Sequence, residues 1–209
     1  MAKTNAEAVF RAKAPGVMAQ LISDFPITPA DAAAILGNLG HECAGFTKLQ
    51  EMKPTVPGSR GGYGWPQWTG PRRRAYEAYC KRTGKDPASD EANYAYLFIE
   101  LKGIEGSEKA AIGKTIAAEG LDNKVVAFEQ AFLRAGVKHY PERKMWAAIA
   151  LDAYHKAGSP VGPYPQAEPT PTLPSKPPEP RPSAPNALSA FIIAIIVLAA
   201  AAAFFYWRF

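Results

Sequence analysis

The sequence predicts an all-α fold for residues 1–158, followed by a proline-rich linker over 159–186 and a single transmembrane helix over 187–207. Three observations carry this prediction. Residues 1–158 show no convincing alternation of apolar and polar positions, and helix start and stop signals recur instead. The stretch SPVGPYPQAEPTPTLPSKPPEPRPSAPN is dense in proline. Proline has no amide donor and disfavours helix, so this stretch reads as an extended, polyproline-like spacer. Beyond it, ALSAFIIAIIVLAAAAAFFYW carries no charge, and only Ser189 is clearly polar. At the helical rise that run spans roughly 30 Å, the thickness of a bilayer core. Phe204, Phe205, Tyr206 and Trp207 then meet Arg208, the aromatic-plus-cation ending of a membrane interface.

Within the helical part the elements follow in order. The first 25 residues hold no continuous apolar stretch, so no signal peptide is expected there. ITPADAAAILGNL opens with Thr28 as N-cap, Pro29 at the first helical position and Asp31 in the first turn. TGPRRRAYEAYCKRTG repeats the device, with Thr69 or Gly70 ahead of Pro71 and a stop near Gly84. SDEANYAYLFIELKG is capped by Ser89 and places Tyr94, Leu97, Phe98 and Leu101 on one side. Further helices are expected near 107–118, 122–135 and 142–156. Six or seven helices joined by short loops make one helical domain.

Composition narrows the function classes. The net charge is +5. A mildly basic chain is compatible with nucleic acid, anionic lipid or a polyanionic wall polymer, and does not choose among them. Two cysteines, Cys43 and Cys80, are too few for a disulfide framework. His41, His139 and His155 stand apart, and HECAG lacks the second histidine of a zinc peptidase helix. No metal and no cofactor are therefore expected. Cys43 beside His41 is not a nucleophile pair, because residues i and i+2 of a helix do not face each other. PRRRAYEAYCKR reads as a solvated helix face, so no nucleic-acid partner is expected.

One carboxylate stands out. Ala32, Ile35, Leu39 and Glu42 follow one another at helical steps of three and four, so an apolar stripe ends in an acid. If that acid faces the core, burial raises its pKa and makes it a proton donor near neutrality. If the helix ends at Gly40, Glu42 points to water. Spacing alone leaves both open. Downstream, PGSRGGYGWPQWTG interleaves glycines with Tyr63, Trp65 and Trp68 around Gln67. A loop of this kind presents aromatic faces and one amide to a sugar, or forms an aromatic cluster beneath a loop.

In order, TPADAAAILGNLGHECAGF, GGYGWPQWTGPRRR, FIELKGIE and AFEQAF resemble the phage tail lysozyme family, a branch of the lysozyme-like group that includes goose-type lysozymes and soluble lytic transglycosylases. The resemblance runs from about Ile27 to Tyr154. It implies a lysozyme-like helical domain, with Glu42 as the catalytic glutamate. It implies a substrate-binding loop of Tyr63, Gly64, Trp65, Gln67 and Trp68, and a mainly structural role for the Glu100–Leu101 pair. Cys43 departs from the serine often found there, and a thiol is a poorer hydrogen-bond partner. The implied partner is peptidoglycan, cut at the β-1,4 bond between N-acetylmuramic acid and N-acetylglucosamine.

A second carboxylate is less obvious. No aspartate lies between Asp31 and Asp86. Glu77 reads as a surface residue of the arginine-rich helix, and Glu51 is the candidate that reaches a cleft. Without a second acid, a lytic transglycosylase route remains, in which the sugar's own 6-hydroxyl closes an anhydro ring. The rival class is a non-catalytic wall-binding or structural virion module. The run 187–207 implies a lipid membrane as second partner, in the host inner membrane or inside a virion, for lysis or for entry.

Overall fold

The computed structural model describes residues 5–54 and 56–158; the linker 159–186 and the apolar run 187–207 lie outside the described residues. Every regular element described is helical, and among the described residues extended pairing is limited to the isolated bridges Gln50–Tyr63 and Tyr63–Trp68. The elements are α1 (Asn5–Asp24), α2 (Pro29–Glu42), α3 (Gly70–Thr83), α4 (Asp90–Lys102), α5 (Ala110–Ala117), α6 (Gly120–Phe128), a π turn (Glu129–Leu133) and α7 (Tyr140–Lys156).

The expected punctuation works as chemistry. Thr28 and Asp31 form a capping box: the Asp31 amide donates to Thr28 Oγ1 at 3.3 Å, and the Thr28 amide donates to Asp31 Oδ2 at 2.8 Å. Ser89 Oγ accepts from the Ala92 amide at 3.1 Å. Gly84 and Gly103 close α3 and α4 in the left-handed conformation, at φ 68° and 71°.

Helix α1 was not anticipated. Phe10, Ala14, Val17, Met18 and Leu21 are buried at helical spacing, yet Pro15 sits among them and removes one backbone donor. Tertiary packing of that stripe outweighs the local penalty. The helix expected over 122–135 differs too. It divides into α6 and the π turn, which closes where the Arg134 amide donates five residues back to Glu129 O at 2.7 Å.

Helix α2 is central. Every residue from Asp31 to Gly40 is buried, so it has a core on all sides rather than one apolar stripe. Gly37 lets α7 come close: a Cβ there would lie 2.5 Å from Ala147 Cβ and 2.6 Å from Arg143 O. Gly40 does the same for the ring of Phe10 on α1, 2.7 Å from such a Cβ. The two glycines of ILGNLGHE are thus points of close helix approach, and they set where the end of α2 lies.

Candidate active site

Glu42 is the last residue of α2. The chain then reverses through Ala44, Gly45 and Phe46, all at positive φ (47°, 65° and 66°), with the Gly45 amide donating to Gly40 O at 2.7 Å. Two non-glycine residues held in that region indicate a turn fixed by its surroundings. Phe46 is wedged between Phe10 and Trp65, with ring centroids at 5.3 and 4.8 Å. Cys43 is fully buried and donates its thiol to Leu39 O at 3.1 Å. Burial pushes that thiol up to about 12, so it is a core residue with no part in proton transfer.

The turn leads into the 47–62 loop, which with the following glycine-aromatic segment walls a cleft of about 390 Å³. Glu42, Glu51 and Gln67 all line it, with Pro66 and Thr69 beside them and Leu133 to Gly136 opposite. Glu51 is fixed by the Gly62 amide, which donates to Oε2 at 2.7 Å. Gln67 has φ 53° and donates both amide hydrogens to backbone, Leu49 O and Gly64 O, each at 2.9 Å. Two carbonyl acceptors fix the amide's orientation and leave Oε1 as the atom with spare capacity.

The aromatic residues lie elsewhere than expected. Trp65 and Trp68 are 0% and 1% exposed and do not present faces to the cleft. Trp68 donates Nε1 to Glu100 Oε2 at 2.7 Å and packs against Tyr76, with ring centroids 4.3 Å apart and planes tilted by 33°. Such a large apolar side chain with a satisfied N–H is worth more to the core than to solvent. Tyr63 and Gly64 stand outside the cleft lining. Gly64, at φ 80°, has no room for a Cβ, which would sit 2.6 Å from Trp68 Cζ3. Tyr63 lies under the Arg73 guanidinium at 5.1 Å. Of the seven residues singled out, three reach the cleft and four hold up its wall.

The arginine-rich helix is also corrected. Arg73 is buried and ties the loop together, donating to Arg60 O at 2.6 Å, Gly61 O at 2.9 Å and Gln50 Oε1 at 3.1 Å. Arg72 makes a two-pronged pair with Glu100, both at 2.8 Å, and donates to Phe132 O at 3.1 Å. Arg74 is exposed as expected. Glu77 pairs with Arg60 and Arg73, which hold its carboxyl below the usual range, and it does not reach the cleft.

Two features of the site were missed by the sequence reading. The first is the far wall. Its π turn is held by fully buried Glu129, which accepts from the Ala135 amide at 2.7 Å, Tyr140 Oη at 3.0 Å and Lys138 Nζ at 3.1 Å. Arg134 is anchored by buried Glu108 at 2.5 Å. The second is Arg143. It is 1% exposed and donates Nη2 to Glu42 Oε1 at 2.7 Å. Its signal was present: Arg143, Ala147, Ala150 and Tyr154 form a helical stripe headed by a cation, the mirror of the stripe that ends in Glu42.

Electrostatically, Glu42 sits between opposing influences. Burial raises its pKa most, Arg143 lowers it, and the charges of Glu129 and Glu51 raise it again. The net direction is upward. A carboxyl of raised pKa at the edge of a polar cleft is suited to donate a proton. Among the described residues, no group of three or more His, Cys, Asp and Glu side chains is placed to hold a metal ion.

No curated protein and no solved structure matches the chain significantly. The family profile described as phage tail lysozyme does match, over residues 12–154. That span takes in α2 with its terminal acid, the braced glycine-aromatic loop, the π-turn wall and the arginine of α7. By that match the chain belongs to the phage tail lysozyme family.

Proposed function

We propose that this protein cleaves the β-1,4 bond between N-acetylmuramic acid and N-acetylglucosamine in peptidoglycan, with Glu42 as general acid. Membership of the family points to a peptidoglycan-lytic function in general. One observation supports the specific assignment: Glu42 opens onto the cleft with a raised pKa, while one of its oxygens is tied to a buried arginine. Its proton would go to the glycosidic oxygen as the bond to the leaving sugar breaks. Gln67 Oε1 is suited to accept from a sugar hydroxyl or acetamide N–H.

Glu51 shares the cleft and is the proposed second carboxylate. With one oxygen engaged by Gly62 N–H, its other oxygen is left to activate water or stabilise positive charge on the sugar ring. That route yields reducing ends. The alternative is intramolecular: Glu42 gives its proton to the glycosidic oxygen as that bond breaks, and the resulting carboxylate takes the proton of the muramic 6-hydroxyl as that oxygen bonds to the anomeric carbon, which leaves a 1,6-anhydro end. Incubation with purified peptidoglycan and mass analysis of released fragments tests the reading. Soluble disaccharide-peptides support it, and their ends separate hydrolase from transglycosylase. Binding without release would favour a non-catalytic wall-binding module.

The reading includes a lipid anchor. No described helix is long and apolar enough to cross a membrane, so the proposal rests on the sequence of 187–207. The linker of about 28 residues reaches on the order of 80 Å if fully extended, enough to carry the enzyme beyond lipid head groups. The anchor suits either the host inner membrane or an internal virion membrane.

A further inference from the structure

We infer that Arg143 is the positioning residue of this site, holding Glu42 by Oε1 so that Oε2 is the oxygen that carries and delivers the proton. The inference rests on the reading of Glu42 as the acid. Its basis is geometric. Arg143 enters from α7, is buried, and is fixed at three further points: Nε donates to Lys138 O at 2.7 Å, and Nη1 lies 3.5 Å from Asn38 O and 3.4 Å from Asn38 Oδ1. Asn38 is itself locked, donating to Ala34 O and Val125 O, both at 3.0 Å. The guanidinium therefore cannot follow the carboxyl; the carboxyl is held to the guanidinium. A glutamate with three rotatable bonds is reduced to one orientation, with Oε1 occupied.

The same contact serves the chemistry. Burial favours the protonated form of Glu42, and a fixed cation at Oε1 stabilises the carboxylate that remains once the proton leaves. The other charged groups bearing on Glu42 are Glu129 of the π turn and Glu51 of the loop, both of the same sign as the carboxylate. Glu129 is already paired with Lys138. His41, next in sequence, packs against His139, with ring centroids 5.0 Å apart and planes tilted by 32°. Arg143 is thus the one cation acting directly on the acid among the described residues.

The test uses the full chain in detergent, as wild type, Arg143→Lys and Arg143→Met. kcat and KM on soluble peptidoglycan fragments are measured across pH, alongside a 13C NMR titration of the Glu42 carboxyl. In Arg143→Met, kcat should fall by about 30-fold or more with KM within about threefold. The basic limb of the kcat profile and the Glu42 midpoint should both move up by about one pH unit. Arg143→Lys should recover part of each. A merely structural arginine would reduce the amount of folded protein and leave both pH readouts where they are; that result overturns the inference. If neither variant folds, wild type decides. Side-chain 15N signals of Arg143 that shift with the Glu42 midpoint support the coupling, and signals that ignore it overturn it. An inactive wild type would instead remove the reading of Glu42 as the acid, whatever the titration shows.

Discussion

Gly37→Ala should cost both stability and activity, although Ala is the better helix former. In an exposed helix the exchange would gain about 1 kcal/mol. Here the new Cβ would lie 2.5 Å from Ala147 Cβ, 2.6 Å from Arg143 O and 2.7 Å from Ala147 N. Ordinary carbon contacts begin near 3.5 Å, so α2 and α7 must separate by about 1 Å. None of the opposing atoms is the far end of a flexible side chain. Overpacking costs about 1–3 kcal/mol, and with three opposing atoms within 2.7 Å the upper part of that range, about 2–3 kcal/mol, applies, leaving a net loss of about 1–2 kcal/mol. For a domain of this size that lowers Tm by roughly 2–8 °C. The same displacement acts on the site, because Arg143 rides on α7. Moving it by about 1 Å stretches its 2.7 Å bond to Glu42 past hydrogen-bonding range. Calorimetry and a peptidoglycan clearing assay on the surviving folded protein should be run together. A higher Tm with unchanged specific activity would refute the view that Gly37 sets the helix contact that delivers Arg143.

Three other outcomes follow from the same geometry. Gln67→Ala should weaken substrate use with a modest change in Tm, whereas Trp68→Ala should destabilise the domain by about 3–5 kcal/mol, since its side chain is core and its loss removes one donor to buried Glu100; normal folding of Trp68→Ala would return that residue to the cleft. Acid should destabilise the fold. Burial alone would raise Asp31 and Glu108, yet Lys124 with Thr28, and Arg134 with Arg72, hold them below their ordinary 3.8 and 4.5. Their folded values are depressed, so their contribution is complete above the unfolded pKa and fades as pH falls below about 4.5. A Tm flat from pH 6 to 3 would contradict this. Removing 187–209 should leave an active domain in the aqueous phase while the full chain partitions into detergent; a full chain soluble without detergent would contradict the anchor.

The sequence was most legible where local chemistry decides structure. Thr28, Pro29 and Asp31 announce a helix start because their side chains and ring act on backbone groups within one turn. Ser89 and Gly103 do the same for α4. The acid at the end of α2 was legible as a break in an apolar stripe. What depended on distant partners was not legible. Nothing near Trp65 and Trp68 says that Asn93, Glu100 and Tyr76 will enclose them, so a run of aromatics reads equally as a sugar platform. Arg72 and Arg73 look like a solvated face until Glu100, Phe132 O and the 60–61 carbonyls are placed against them. The Glu42–Arg143 pair joins residues 101 positions apart. Only the close approach at Gly37 makes it possible, and a glycine inside a helix does not name the helix it admits.

The most direct measurement is the rate at which folded Glu42→Gln releases soluble fragments from purified peptidoglycan, against wild type, with circular dichroism on both. Gln keeps the shape of the side chain and one acceptor for Arg143 but carries no acidic proton. With Glu42 as the acid, release falls by at least about 10²-fold while the helical signal is unchanged. Release within threefold of wild type by the folded variant would contradict the account and move the chemistry to another residue of the cleft.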